Sequence, residues 1–171
     1  MRNIFKILAG YNHWANTRLY DAAERMSDSS YREERGAFFG SVHRTLNHLL
    51  VTDRIWLKRF GVRDEAPDRL DAILFGDLPG LRTARVAEDI AIDHWIGGLT
   101  EAGLAASISY SPLSNPTPIT QPLSSALAHL FNHQTHHRGQ IHALMTAIEG
   151  RDFAPSLDLI LYQRETGAGM S

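Results

Sequence analysis

The chain has no cysteine. That removes disulfides, zinc–thiolate sites and cysteine nucleophiles from consideration. It also lacks any run approaching the roughly 18 consecutive apolar residues of a membrane-spanning helix. The first 26 residues open with only a few apolar positions before polar ones intervene, so the uninterrupted core of a signal peptide is missing. Lysine and arginine form no basic stripe and the formal net charge is −2, which argues against a nucleic-acid partner. Together these absences point to a cytoplasmic protein that engages neither membrane nor nucleic acid. What is present is ordinary for a folded chain. Its 171 residues are 43% hydrophobic and 21% charged, enough for one domain over 1–171 with its own core.

Hydrophobic periodicity supplies the helices. Phe5, Leu8, Asn12, Ala15, Leu19, Ala22 and Met26 recur at three- and four-residue steps, which predicts a helix over 3–26. A polar loop follows through Asp28 and the charged Arg32-Glu33-Glu34-Arg35. Val42, Leu46, Leu49, Leu50, Trp56, Leu57 and Phe60 share one apolar arc, predicting a second helix over 41–60 with Gly61 as its stop. Residues 61–86, with Pro67, Gly76, Pro79 and Gly80, read as a long connection. A third helix is expected over 88–105, weakened by Gly97-Gly98. The stretch 107–111 reads as a short strand or extended loop, and Pro112, Pro116 and Pro118 rule out helix there. Thr120 is the expected cap of a fourth helix, with Pro122 in its first turn and Gly150 at its end. A short terminal helix over 156–165 follows, then a frayed end. Four long helices in one small chain predict an all-α four-helix bundle with long crossover connections and a short C-terminal helix.

The chemistry concentrates in one segment, His129-Leu-Phe-Asn-His133-Gln-Thr-His136-His137-Arg138-Gly-Gln140. At about 100° per residue, its four histidines and Gln140 occupy roughly a 100° arc of a helix. Imidazoles four apart stack on one face and offer a divalent metal two nitrogen ligands. Spacing alone allows two pairs, His129/His133 or His133/His137, and the same spacing also occurs on plain solvated helix faces. In a bundle, a third ligand should come from another helix. His13, His43, His48 and His94 are the remaining candidates. His43 and His48 lie five apart on the second helix and point in different directions.

At this point the chain resembles a family. Tyr11-Asn12-His13-Trp14-Ala15-Asn16, then Thr45-Leu46-Asn47-His48-Leu49-Leu50 with Asp53 and Trp56, resemble the first two helix signatures of the DNA-damage-inducible DinB-like superfamily of metal-dependent proteins. Asn132-His133-Gln134-Thr135-His136-His137-Arg138-Gly139-Gln140 resembles its most specific motif, and Asp158-Leu-Ile-Leu-Tyr162 fits its tail. The resemblance covers nearly the whole chain and shows no departure at the ligand positions. It implies a four-helix bundle holding a metal on three histidines, here His48, His133 and His137, and it implies a homodimer.

Three neutral imidazoles leave coordination positions open, as in catalytic rather than structural sites. The expected cofactor is a divalent ion, zinc or nickel first, iron or manganese behind them. Relatives in the resembling family include transferases and an isomerase that use low-molecular-weight thiols. With no cysteine in the chain, a thiol would have to arrive as a small molecule. The leading expectation is therefore a metal-dependent transferase using a small thiol, acting on a small-molecule substrate. The alternatives are a metal-water hydrolase and a non-catalytic metal-binding stress-response protein. The connections 61–86 and 106–120 are the expected substrate-facing segments. His136 is expected beside the ligands or simply at the surface. Asp53 sits within an apolar arc and must be hydrogen-bonded, with Trp14, Asn16 or a histidine as expected donor, or else with a helix-tying partner remote from the metal. Arg138 points away from the ligand face and is expected to ion-pair with a neighbouring helix. Trp14, Trp56 and Trp95 read as core.

Overall fold

The computed structural model describes residues 1–113 and 117–170, so Pro116 and the terminal Ser171 lie outside the described residues. The stripe that begins at Phe5 becomes α1 (Arg2–Ala23), which buries Phe5, Ala9, Ala15, Leu19 and Ala22. It stops short of Met26. The loop beyond contains a short helix, α2 (Asp28–Arg32), whose cap Ser27 accepts from the Ser30 amide at 3.0 Å. The second apolar arc becomes α3 (Val42–Arg59), capped by Ser41, whose hydroxyl accepts from the Arg44 amide. Gly61 follows it with φ +74°, the left-handed turn that a side chain would strain.

The next helix departs from expectation. α4 (Leu78–Gly98) begins well before residue 88 and ends before 105. Pro79 and Gly80 looked like loop residues, yet both lie in its first turn. Proline there loses no helical hydrogen bond, and Asp77 accepts from the Gly80 amide at 2.7 Å. The Gly97-Gly98 pair marks the end of α4. Thr100 then caps a separate short helix, α5 (Glu101–Ala105).

The extended stretch is a strand, β1 (Ser107–Tyr110), paired antiparallel with β2 (Ile119–Pro122). Thr120 therefore belongs to β2 and is not a helix cap. Pro122 closes the strand and precedes α6 (Leu123–Glu149), and the Leu123 amide donates to the Ala106 carbonyl at 2.8 Å instead of to a capping side chain. Gly150, with φ +102°, ends α6 as expected. The terminal helix α7 (Leu159–Thr166) starts later than 156 and docks on α1, where Tyr162 meets Tyr11 and Trp14.

The structure is mainly helical, as expected, with one small hairpin. Each of the four long helices packs on two others, in the cyclic order α1, α4, α3, α6. No helix among the described residues is long and apolar enough to cross a membrane. The core is layered along these helices. One apolar cluster joins Leu19, Leu46, Leu50, Leu81, Ile141 and Met145. Another joins Phe5, Trp56, Leu57, Ile92, Ile96, Leu127 and Phe131. Between them, on all four helices, lie buried polar residues: Asn12 and Asn16, Asp53, Arg85 and Asp89, Gln134 and Arg138. The histidine cluster occupies the same stretch of α3 and α6.

Candidate metal centre

The stagger of α6 separates two functions by one residue. Gln134 and Arg138 turn into the polar layer between the apolar clusters. His133 and His137, each one position earlier and therefore rotated by about 100°, turn toward α3. There they meet His48. One ring nitrogen from each of the three lies within 4.8 Å of one from each of the others. His48 and His137 are buried and His133 is half-buried. The structure thus brings together the three histidines that the resemblance implied.

Two of the rings are held by their far nitrogens. The His48 Nδ1–H donates to the Leu70 carbonyl at 2.8 Å. The His137 Nδ1–H donates to Gln140 Oε1 at 2.8 Å. Each bond fixes the tautomer and leaves Nε2 as a bare lone pair in the neutral ring. His133 differs, because its Nδ1 is buried with no hydrogen-bond partner. The Nε2 atoms of His48 and His133 lie 3.3 Å apart. Two nitrogens bound at about 2.0–2.1 Å to one tetrahedral ion would be separated by about 3.3–3.4 Å. The donor set and its spacing fit a divalent cation.

Burial also sets the charge state. It pushes the His48 imidazole down to about 4 and His133 down to about 3, and it lowers His137. The neighbouring imidazoles press in the same direction on His133. All three are therefore neutral at pH 7 and available as ligands. Phe39 stacks on His48 with ring centroids 3.8 Å apart and leans on His137 at 5.5 Å, closing one side of the cluster.

The remaining sequence candidates fall elsewhere. His129 is outside the trio; its ring centroid lies 5.8 Å from that of His133 and 5.1 Å from Trp56. Spacing alone left His129/His133 open as the pair, whereas the observed convergence uses His133/His137. His136 is exposed, and Gln140 Nε2 donates to its Nε2 at 3.1 Å, linking it through Gln140 to His137. His43 pairs with the Tyr31 hydroxyl, away from the cluster. His13 is half-buried and His94 is exposed. Trp56 is buried in the core, while Trp14 and Trp95 are only partly so.

Asp53 accepts from neither Trp14, Asn16 nor a histidine. Arg85 of α4 donates to it at 2.6 Å and Gln134 of α6 at 2.5 Å. This is the helix-tying arrangement. Arg138 forms no ion pair among the described residues. It donates to Asn12 and, at 3.4 Å, to Asn16. Those two asparagines in turn donate to Asp89, which lies 2.9 Å from Arg85. Asn12 and Asn16 thus stand between the Arg138 guanidinium and the Asp89 carboxylate, accepting from one and donating to the other.

Sequence reasoning missed the groups that hold and wall the site: the Leu70 carbonyl, Gln140 as orienter of His137, and Phe39. The connection bearing Leu70 is itself pinned by Asn47, which accepts from the Leu74 and Phe75 amides at 2.9 and 3.1 Å. A cavity of about 320 Å³ opens beside His48 and His133, walled by Ile55, Trp56, Leu70 and Tyr110.

Residues 1–155 match the family model described as the DinB family. The chain belongs to the DinB family. Among curated proteins, Protein DinB of Bacillus subtilis (strain 168) is 25% identical over 144 residues, covering 79% of this chain and 80% of that relative. All three clustered histidines of this DinB-family protein fall inside the matched region.

Proposed function

We propose that His48, His133 and His137 together hold one divalent metal ion, zinc or nickel first, within a four-helix bundle, and that the protein is a metal-dependent transferase using a small thiol. The observation that carries the metal reading is the convergence of three neutral imidazoles, two of them already locked with Nε2 inward. No carboxylate joins the cluster among the described residues. The protein's ligands therefore do not fill the coordination sphere. When bound, the ion supplies Lewis acidity that lowers the pKa of a coordinated water or small thiol.

The thiol reading rests on the family resemblance and on the absence of cysteine, which leaves only a small-molecule thiol available. The adjoining cavity gives such a molecule room. Cobalt substitution tests both halves. Cobalt-loaded protein should develop intense sulfur-to-metal charge-transfer absorption when a small thiol is added. His137→Ala should abolish the band together with the metal, while helical circular dichroism stays unchanged because the apolar layers hold the fold. A cobalt spectrum indifferent to thiols would remove the transferase reading and leave metal-water hydrolysis or simple metal binding. A wild-type protein that takes up no metal would remove both.

A further inference from the structure

The cavity beside His48 and His133 contains a cation with no counter-charge among the described residues. Arg59, in the last turn of α3, lines it together with His129. The guanidinium lies over the corner where two aromatic rings meet edge to face, 4.5 Å from the Trp56 centroid and 4.6 Å from the Tyr110 centroid. It makes no ion pair among the described residues, and no aspartate or glutamate lines the cavity. Of its five N–H donors, one is engaged among the described residues, in a long 3.4 Å bond to the Ser111 carbonyl. Burial lowers its pKa, and burial followed by the Arg59 charge lowers that of His129. Half-buried arginine is usually paired, because removing an ionised group from water is unfavourable unless an opposite charge replaces the hydration.

Stacking explains how Arg59 is held. It does not use the fork of donors, whose planar geometry matches a carboxylate two bonds at a time. Much of the wall around it is apolar, through Ile55, Trp56, Leu70 and Leu113, and uncharged Thr52 and the histidines complete it. One guanidinium balances one negative charge, and the apolar surround suits a body without further charge.

We propose that Arg59 is an anion subsite, and that the cavity takes a small organic monocarboxylate whose carboxylate pairs with Arg59 and whose apolar body lies against Trp56, Ile55 and Leu70. This rests on the metal reading only for what stands at the other end of the ligand, near His48 and His133.

The test is calorimetric titration of the full-length protein with 3-phenylpropionate and with uncharged 3-phenylpropanamide, in chelator and again after zinc loading. In chelator, the carboxylate should bind at least about tenfold more tightly than the amide, the scale of a charge-assisted hydrogen bond. Arg59→Met should lower carboxylate affinity to the amide's level, and Arg59→Lys should retain part of the difference. Equal binding of acid and amide in chelator, or unchanged carboxylate affinity in Arg59→Met, would overturn the proposal. Carboxylate binding that appears only with zinc would overturn it too, since the acid would then be a metal ligand. If Arg59→Met fails to fold, the acid–amide comparison on wild type and the Arg59→Lys titration still decide. Zinc uptake by the wild type and both variants is measured separately. Its absence would sink the metal reading while leaving the chelator arm intact.

Discussion

Two polar clusters share one level of this molecule, and they are built in opposite ways. The inner cluster is charge-balanced: Arg85 and Arg138 face Asp53 and Asp89, with Asn12, Asn16 and Gln134 as amide links. Each of the four long helices contributes to it. Burial pushes the Asp53 carboxyl up to about 6, while Arg85 and Gln134 pull it back and keep it ionised at neutral pH. The outer cluster, His48, His133 and His137, is left electron-rich, with inward nitrogens and no internal cation. On α6 the two are a single residue out of step. The comparison teaches that burying polar groups does not by itself mark a site. The marker is a set of aligned acceptors whose partner is missing from the chain.

The largest expected effect comes from breaking the inner cluster. Asp53→Ala leaves the Gln134 amide with only the Leu49 carbonyl, at 3.3 Å, and Arg85 with one carboxylate instead of two. Removing one partner of a buried pair typically costs about 3–5 kcal/mol. Urea unfolding in chelator should show that loss, while zinc affinity of the folded variant moves less than about tenfold. If zinc affinity falls further than stability does, the inner cluster is part of the site and the division fails.

The outer cluster should respond in the reverse sense. Gln140 orients His137 and is itself only half-buried. Gln140→Ala should lower zinc affinity by about 10–100-fold, the usual consequence of losing a ligand's hydrogen-bond partner. Stability in chelator should fall by no more than about 1 kcal/mol. Competition against a chromophoric chelator measures the first and urea unfolding the second. Unchanged zinc affinity would show that Gln140 leaves the His137 ring free.

The same division explains what could be read in the sequence. Histidines four apart on one helix announce themselves through the helical repeat, so His133 and His137 are visible in the sequence as one of two pairs. His48 is 85 residues from His133. No local pattern links them, and the family motif had to. Leu70 acts through its carbonyl, which carries no side-chain signature at all. Arg85 escaped because Pro79 and Gly80 made the start of α4 look like loop, although proline and a capped glycine are both at home in a first turn. Asp53 was recognisable as needing a partner. Which partner depended on which helices face α3, and a single helical wheel does not contain that information. Arg59 resembled any surface arginine near a helix end until the hairpin placed Tyr110 against Trp56.

The smallest expected effect, taken per half-unit of pH, concerns acid, and it sharpens the comparison because the two clusters titrate in opposite directions. In metal-free protein, His48 and His133 are held near 4 and 3, below the ordinary 6.5 they regain on unfolding. Between those values the unfolded chain binds more protons than the folded one. Stability therefore rises with pH across this window. The contribution is fully present above about pH 6.5 and is lost as pH falls toward 4. Asp53 works the other way: held near 6 when folded against 3.8 unfolded, its proton uptake favours the folded state as pH falls through 6. The imidazoles outnumber it. Metal-free wild type should lose stability on acidification from pH 6.5, with a slope of up to about 1.4 kcal/mol per pH unit for each participating imidazole, less the Asp53 contribution. A His48→Gln, His133→Gln double variant should flatten that slope while leaving the Asp53 trend. Urea unfolding at half-unit pH steps in chelator reads it directly. Equal slopes in the two proteins would show that the histidines are hydrated in the metal-free state, and that the site is less closed than its burial implies.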